Sequence, residues 1–371
     1  MTAIINGSTG ITFPDSTVQA TAYPSTQTFG FKNRIINGAM MIDQRNAGVS
    51  TTITATAYTL DRWQAYCGGV ASKFSVQQNA GSVTPPAGFI NYLGATSLSA
   101  YSISASDRFG INQTIEGLNA ADLAWGTASA KTVTLSFQVY SSLTGTFGGS
   151  IQNYGATRSY PFSYSIPVAN TWTTISVTVA GDTTGTWLTT SSGFATINFG
   201  LGTGSTYSGT AGTWAAADYR ASTGATSIVG TNGATFYITG VQFEVGSQAT
   251  TFDFRDYGRE LILCQRYYQQ WDYNAQLGSL GATAFACTKY SGTDSAVANA
   301  QLICAMRTAP TISLSQNGRF VLTSSVGGTA TPSTLYSNGL GSIVMTFSNN
   351  SVGAGYGWVD GIGTMKATAE L

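Results

Sequence analysis

The residues that could do chemistry are few. The chain carries 16 Asp and Glu against 16 Lys and Arg, four cysteines and no histidine. Without an imidazole, neither a Ser-His-Asp nor a Cys-His relay can form, so acid–base work would fall to paired carboxylates. The densest carboxylate group is Asp253, Asp256 and Glu260, interleaved with Arg255 and Arg259. That spacing is the pattern of ion pairs on a helix surface. Between Leu123 and Phe243 the only acidic residues are Asp182 and Asp218. Two carboxylates from distant strands converge in glycosidases, which keeps a polysaccharide-cleaving enzyme as the alternative to a non-enzymatic reading. Cys67, Cys264, Cys287 and Cys304 form no CxxC pair and read as free thiols of a reducing compartment. Gly200-Leu201-Gly202-Thr203-Gly204 lacks the last glycine of a dinucleotide fingerprint, and no P-loop or EF-hand is present. No cofactor is expected. A sandwich fold leaves room for one structural calcium ion, at a place the sequence does not fix.

Aromatic side chains are the surplus, with 7 Trp, 19 Tyr and 18 Phe set among Ser, Thr, Asn and Gly. A flat apolar ring stacks on the C–H face of a sugar while amides and hydroxyls meet its hydroxyl groups. Trp172 opens a regular alternating run and is expected in the core. Trp187, Trp214 and Trp358 sit beside Gly, Thr and Ala in loop-like sequence, open either to a ligand or to burial. Tyr356 and Trp358 lie in Gly353-Ala354-Gly355-Tyr356-Gly357-Trp358. Its glycines permit conformations that would leave the two rings standing proud. The other reading of that pair is a threefold core.

The elements that must position these residues read as short strands. Thr132 to Tyr140, Thr174 to Val179 and Thr235 to Val245 alternate polar and apolar residues, the period of a half-buried strand. Turn clusters such as Gly181-Asp182-Thr183-Thr184-Gly185 punctuate them, which indicates an all-β sandwich or jelly roll. Residues 1–30 hold a single charged residue, Asp15. A segment of that size cannot bury a core of its own and is expected to be an extended arm, attaching through Ile11, Phe13, Pro14 and Val18. From 254 to 272 the period changes. Tyr257, Leu261, Cys264, Tyr268 and Trp271 are spaced 4, 3, 4 and 3, a heptad seam. This fits either an amphipathic helix packed on a domain or a short helical neck between three chains, and the neck is the expectation carried forward. Alternation returns in residues 273–371, a second, sandwich-like β domain.

The charged fraction is 9%, far under the roughly 25% usual in globular domains, and the formal net charge is +0. No basic footprint for nucleic acid exists, and no apolar run is long enough to insert into a membrane. The start, Met1-Thr2-Ala3-Ile4-Ile5, lacks the pattern of a secretory signal, so synthesis in the cytosol is expected.

Short motifs in order carry a resemblance. Ile11-Thr12-Phe13-Pro14-Asp15-Ser16-Thr17-Val18-Gln19 resembles a segment near the start of many phage tail-fibre and tail-associated proteins, with Ser16 where Gly is usual. Asn33-Arg34-Ile35-Ile36-Asn37-Gly38, Asp43-Gln44-Arg45, Leu60-Asp61-Arg62-Trp63, Gly240 to Gly246 and Cys264-Gln265-Arg266-Tyr267-Tyr268 are similar to parts of a carbohydrate-binding-module-like jelly roll common in those proteins. The resemblance covers roughly residues 1–270. It implies a virion tail component that works as a homotrimer. Residues 1–30 would meet a tail or baseplate protein, 31–253 would form the jelly roll, and 254–272 the neck. Residues 273–371 would form the distal tip that meets host surface polysaccharide. A purely structural fibre or baseplate protein without a receptor site is the remaining alternative.

Overall fold

The computed structural model describes residues 31–274, 285–289, 296–314, 320–322, 328–330, 332–340, 342–347, 355–359 and 362–371, together with three short strands before residue 31. Two six-stranded sheets make the body. The first runs in the order Thr173–Val179, Val133–Ser141, Thr235–Val245, Leu93–Ser97, Phe74–Gln78 and Thr51–Thr52. The second runs Ser159–Ile166, Gly145–Asn153, Gly193–Thr203, Arg108–Glu116, Trp63–Gly68 and Ala57–Leu60. Every pairing within them is antiparallel. The inward residues of each strand, among them Leu135, Phe137, Val139, Phe147, Ile151, Ile197, Phe199, Phe236 and Ile238, are buried in one shared core. The alternation in the sequence is thus the two-faced pattern of sheets packed face to face.

The outer face of the second sheet is covered. Residues 204–226 cross it as a strap, and Ala221 and Ser222 press on the backbone where Gly200 and Gly148 leave no side chain. Beneath the strap lies a buried polar network. Asn198 donates to Ser150 Oγ and Gln152 Oε1, and Gln152 donates to Asp218.

The start of the chain forms a three-stranded antiparallel sheet, Ile4–Asn6, Gly10–Thr12 and Val18–Gln19, rather than a plain extended arm. Ile11 lies in its middle strand and Val18 in its last. Phe13 and Pro14 lie outside the described residues.

The expected neck is corrected. The helix spans only Tyr257–Gln265, opened by the Asp256 side chain, which accepts from the Arg259 N–H, a regular N-cap. Tyr268 and Trp271 belong instead to a strand, Tyr268–Asn274. The seam therefore breaks after Cys264. Cys264, Tyr267, Ile36 and Ile42 form a buried cluster, with Leu261 packed against it. The helix is docked on the sandwich by that face.

The strand Tyr268–Asn274 pairs with Ile362–Thr368, from Tyr268↔Thr368 to Asn274↔Ile362, and Thr311–Leu314 completes a three-stranded sheet. The described strands between them form a five-stranded and a two-stranded sheet. Among the described residues the chain is all-β apart from this one α-helix and four short 3-10 turns. Among the described residues no helix is long and apolar enough to cross a membrane.

Candidate functional site

The first sheet keeps part of its outer face open. On Val133–Ser141 the outward residues are Thr134, Ser136, Gln138 and Tyr140, which pair across to Thr178, Ser176 and Thr174 on one side. On the other side they pair to Glu244, Gln242, Thr239 and Tyr237. Thr174, Ser176 and Thr178 are exposed, and Ser136 and Gln138 are half-buried. Thr174 Oγ1 donates to Gln138 Oε1 at 3.0 Å. This strip offers hydroxyls and an amide, which both donate and accept.

Two aromatic clusters flank it. At one end Tyr140 stacks on Tyr237, 5.3 Å between centroids and 9° between planes, and Trp172 meets Tyr140 and Tyr92, each at 5.5 Å. Trp172 and Tyr140 are half-buried. The Trp172 indole N–H donates to Thr84 O and the Tyr92 hydroxyl to Ala80 O, so these rings also pin the loop after Gln78. Burial pushes the Tyr92 and Tyr237 phenols up, so both stay neutral donors. Along one side, over the strand Thr235–Val245, Phe89, Phe252 and Phe254 contact one another at 4.8–5.3 Å. Phe89 lies over Gly240, whose φ of +60° and missing side chain make the space. Phe254 is 57% exposed, and Ile90, next to Phe89 in sequence, is 71% exposed.

The tryptophans singled out from sequence sit elsewhere. Trp187 is 8% exposed and belongs to the core. It packs with Trp125 at 4.7 Å and with Trp214 at 5.6 Å. Each indole of the three donates to a backbone carbonyl, of Lys131, Thr184 and Ala180 respectively for Trp125, Trp187 and Trp214. Trp187 and Trp214 are therefore structural: they close one end of the sandwich and pin the strap. Tyr356 and Trp358 lie in a strand, Gly355–Val359, opposite Thr288 and Ala286. The expected protruding loop is corrected to a strand. Their side chains lie outside the described residues.

Trp172 and Tyr140 were legible and missed. Trp172 shares its parity with Thr174, Ser176 and Thr178, and Tyr140 with Ser136 and Gln138, so both belong to the polar face of their strands. No local signal marks Phe89, Phe252 and Phe254, which only the fold brings together.

The carboxylates are bound into structure. Asp182 takes two hydrogen bonds from Arg158, each at 2.8 Å, and two from Thr184. Burial alone would raise its pKa, but these bonds outweigh it and hold the carboxyl below its usual range. Glu116 accepts from Arg266 and from the Tyr267 hydroxyl. Glu260 pairs with Arg255 and accepts from the Asn37 N–H. Among the described residues no three His, Cys, Asp or Glu side chains gather as a metal site.

No family model matches the chain, and no curated protein sequence matches it. Among solved structures the fold is similar to a putative sugar-binding protein from Bacteroides thetaiotaomicron, at 11% identity, covering 58% of this chain and 100% of that one with a TM-score of 0.33. A family 11 carbohydrate-binding module from Clostridium thermocellum, in complex with a mixed-linked tetrasaccharide, is similar at 12% identity, 54% and 99% coverage and a TM-score of 0.28. The enzymatically active domain of a tailspike protein of bacteriophage CBA120 is similar at 14% identity and a TM-score of 0.30, over 58% of this chain and 21% of its own length. Likeness this distant establishes neither ligand nor role.

Proposed function

We propose that this chain is a non-enzymatic structural subunit of a phage tail, working as a homotrimer in the virion, and that it binds surface polysaccharide of the host. The open strip of the first sheet is its glycan surface. The observation that carries the reading is the pairing of an uncharged row, Ser136, Gln138, Thr174 and Ser176, with one aromatic cluster at its end and another along its side. Rings offer apolar faces to sugar C–H groups, and the row satisfies sugar hydroxyls. The tail role rests on the ordered motifs of residues 1–63 and on their likeness to tail-fibre proteins. A non-enzymatic role is supported by Asp182, Glu116 and Glu260, which are committed to arginines, and by the lack of any carboxylate in the row.

A single weak site gains avidity when a trimer repeated on a tail presents it many times. The test is whole-cell binding and affinity electrophoresis in host polysaccharide with the double variant Gln138→Ala, Thr174→Val. Neither side chain is fully buried, so the fold should keep its melting temperature while binding falls about tenfold, the loss of one or two hydrogen bonds. Unchanged binding would remove the strip from consideration.

A further inference from the structure

Resting on that reading of the strip, we infer that its ligand class is a neutral oligosaccharide bound along an internal stretch, and that acidic glycans are disfavoured. The row Ser136, Gln138, Thr174 and Ser176 and the cluster of Tyr140, Trp172, Tyr237 and Tyr92 carry no Asp, Glu, Lys or Arg, whereas Asp253, Arg255 and Glu260 line one pocket with Phe252 and Phe254. Charged groups bordering the strip are engaged, Arg255 with Glu260 among them. Glu244, 2% exposed, accepts from Gln242, the Thr250 N–H and the Thr250 hydroxyl. Asp253 accepts from the Asn33 N–H, and Lys32 donates to Thr251 O.

An anionic sugar laid over the row would give up hydration of its carboxylate with no cation of the row to replace it, and that desolvation is costly. A neutral sugar meets no such penalty, because its hydroxyls find Gln138, Thr174, Ser136 and Ser176. Length follows from register. Gln138 pairs with Thr239, and Phe89 covers the next residue, Gly240, while Tyr140 and Trp172 lie on the far side of Gln138. The two clusters are thus some three residues apart along the strand, roughly 10 Å. One ring system cannot reach both, so affinity rises when the glycan is long enough to touch the two. The flanking strand Thr173–Val179 is at the sheet edge, so the strip is not closed by a further strand on that side and suits the middle of a chain.

The experiment is a printed array of neutral and acidic bacterial surface glycans of graded length, probed with the full chain at 50 and 500 mM NaCl and at pH 5 to 9. Neutral oligosaccharides are expected to dominate, with signal rising with length and unchanged across salt and pH. The Gln138→Ala, Thr174→Val variant should lose that signal. Acidic glycans dominating with salt-sensitive signal that the variant still abolishes would overturn the neutral class while leaving the strip as the site. Signal that survives in the variant, or no glycan bound at all, would overturn the site itself and this inference with it.

Discussion

Arg62 and Glu370, 308 residues apart in sequence, form an ion pair in which the side chains are 1% and 5% exposed. Arg45 shares the same carboxylate at 2.6 Å and lies 3.7 Å over the Tyr268 ring. Arg62 itself stacks on Tyr267 at 3.6 Å and donates to Thr114 O. Arg307 donates to the carbonyls of Ala369, Glu370 and Ser191. The entry of the sandwich, its helix and the segment after Thr368 therefore meet in one knot, and the motifs of residues 33–63 and 264–268 supply its parts.

Replacing that shared anion should be severe. Glu370→Gln leaves two buried guanidinium groups without their counter-charge, a change worth about 3–5 kcal/mol when a buried pair is broken from one side. Urea unfolding should show the loss as a lower midpoint of the sandwich, although residue 370 lies far from it in sequence. A loss under about 1 kcal/mol would mean that water reaches Arg62 in solution.

Asp61 gives the knot a pH dependence. Burial raises its pKa to about 6, against the lowering effects of Arg45 and of two hydrogen bonds from Gln44. The folded state thus holds this proton more tightly than the unfolded chain does, so the Asp61 contribution is fully present below about pH 4 and is lost as pH rises through 6. A shift of about two units is on the order of 3 kcal/mol. The stability difference between the native chain and Asp61→Asn, measured by urea at pH 4, 5, 6 and 7, should move in favour of the variant as pH rises. A flat difference across that range would contradict a raised pKa.

Trp214 and the strip separate stability from binding. Trp214→Ala opens the contact with Trp125 and Trp187 and frees the strap, a loss of about 3 kcal/mol, at the low end for a tryptophan since the ring is only partly buried. Glycan binding per folded molecule should be unchanged, as read by titration below the melting temperature. Lost binding with intact stability would restore Trp214 as a ligand-facing residue.

The strand pattern was readable because each strand carries its own two-residue period. Thr132 to Tyr140 predicts the strand Val133–Ser141 almost to the residue, and Thr235 to Val245 matches it throughout. Periodicity names two faces but not what covers them. The strap that hides the second sheet is loop sequence with no period, and the Phe89, Phe252 and Phe254 cluster depends on chain closure over more than 150 positions. The heptad seam misled for a local reason. A nine-residue helix followed within three residues by a strand places apolar residues at helical spacing, although Tyr268 and Trp271 then fall on opposite faces of that strand.

This correction changes how the trimer is tested. If three chains meet through the helix, the contact must use the side turned away from the sandwich, where Ile262 is exposed. Leu261 and Cys264 face the cluster around Ile36 and Ile42 and are already engaged. Leu261→Asp should therefore lower the melting temperature of each chain by placing a charge against apolar neighbours. Ile262→Asp should leave that melting temperature unchanged and convert a three-chain species into single chains, as read by light scattering at micromolar concentration. Three chains persisting in Ile262→Asp would move the contact off the helix. A single-chain mass for the unmodified protein would count against a trimer altogether.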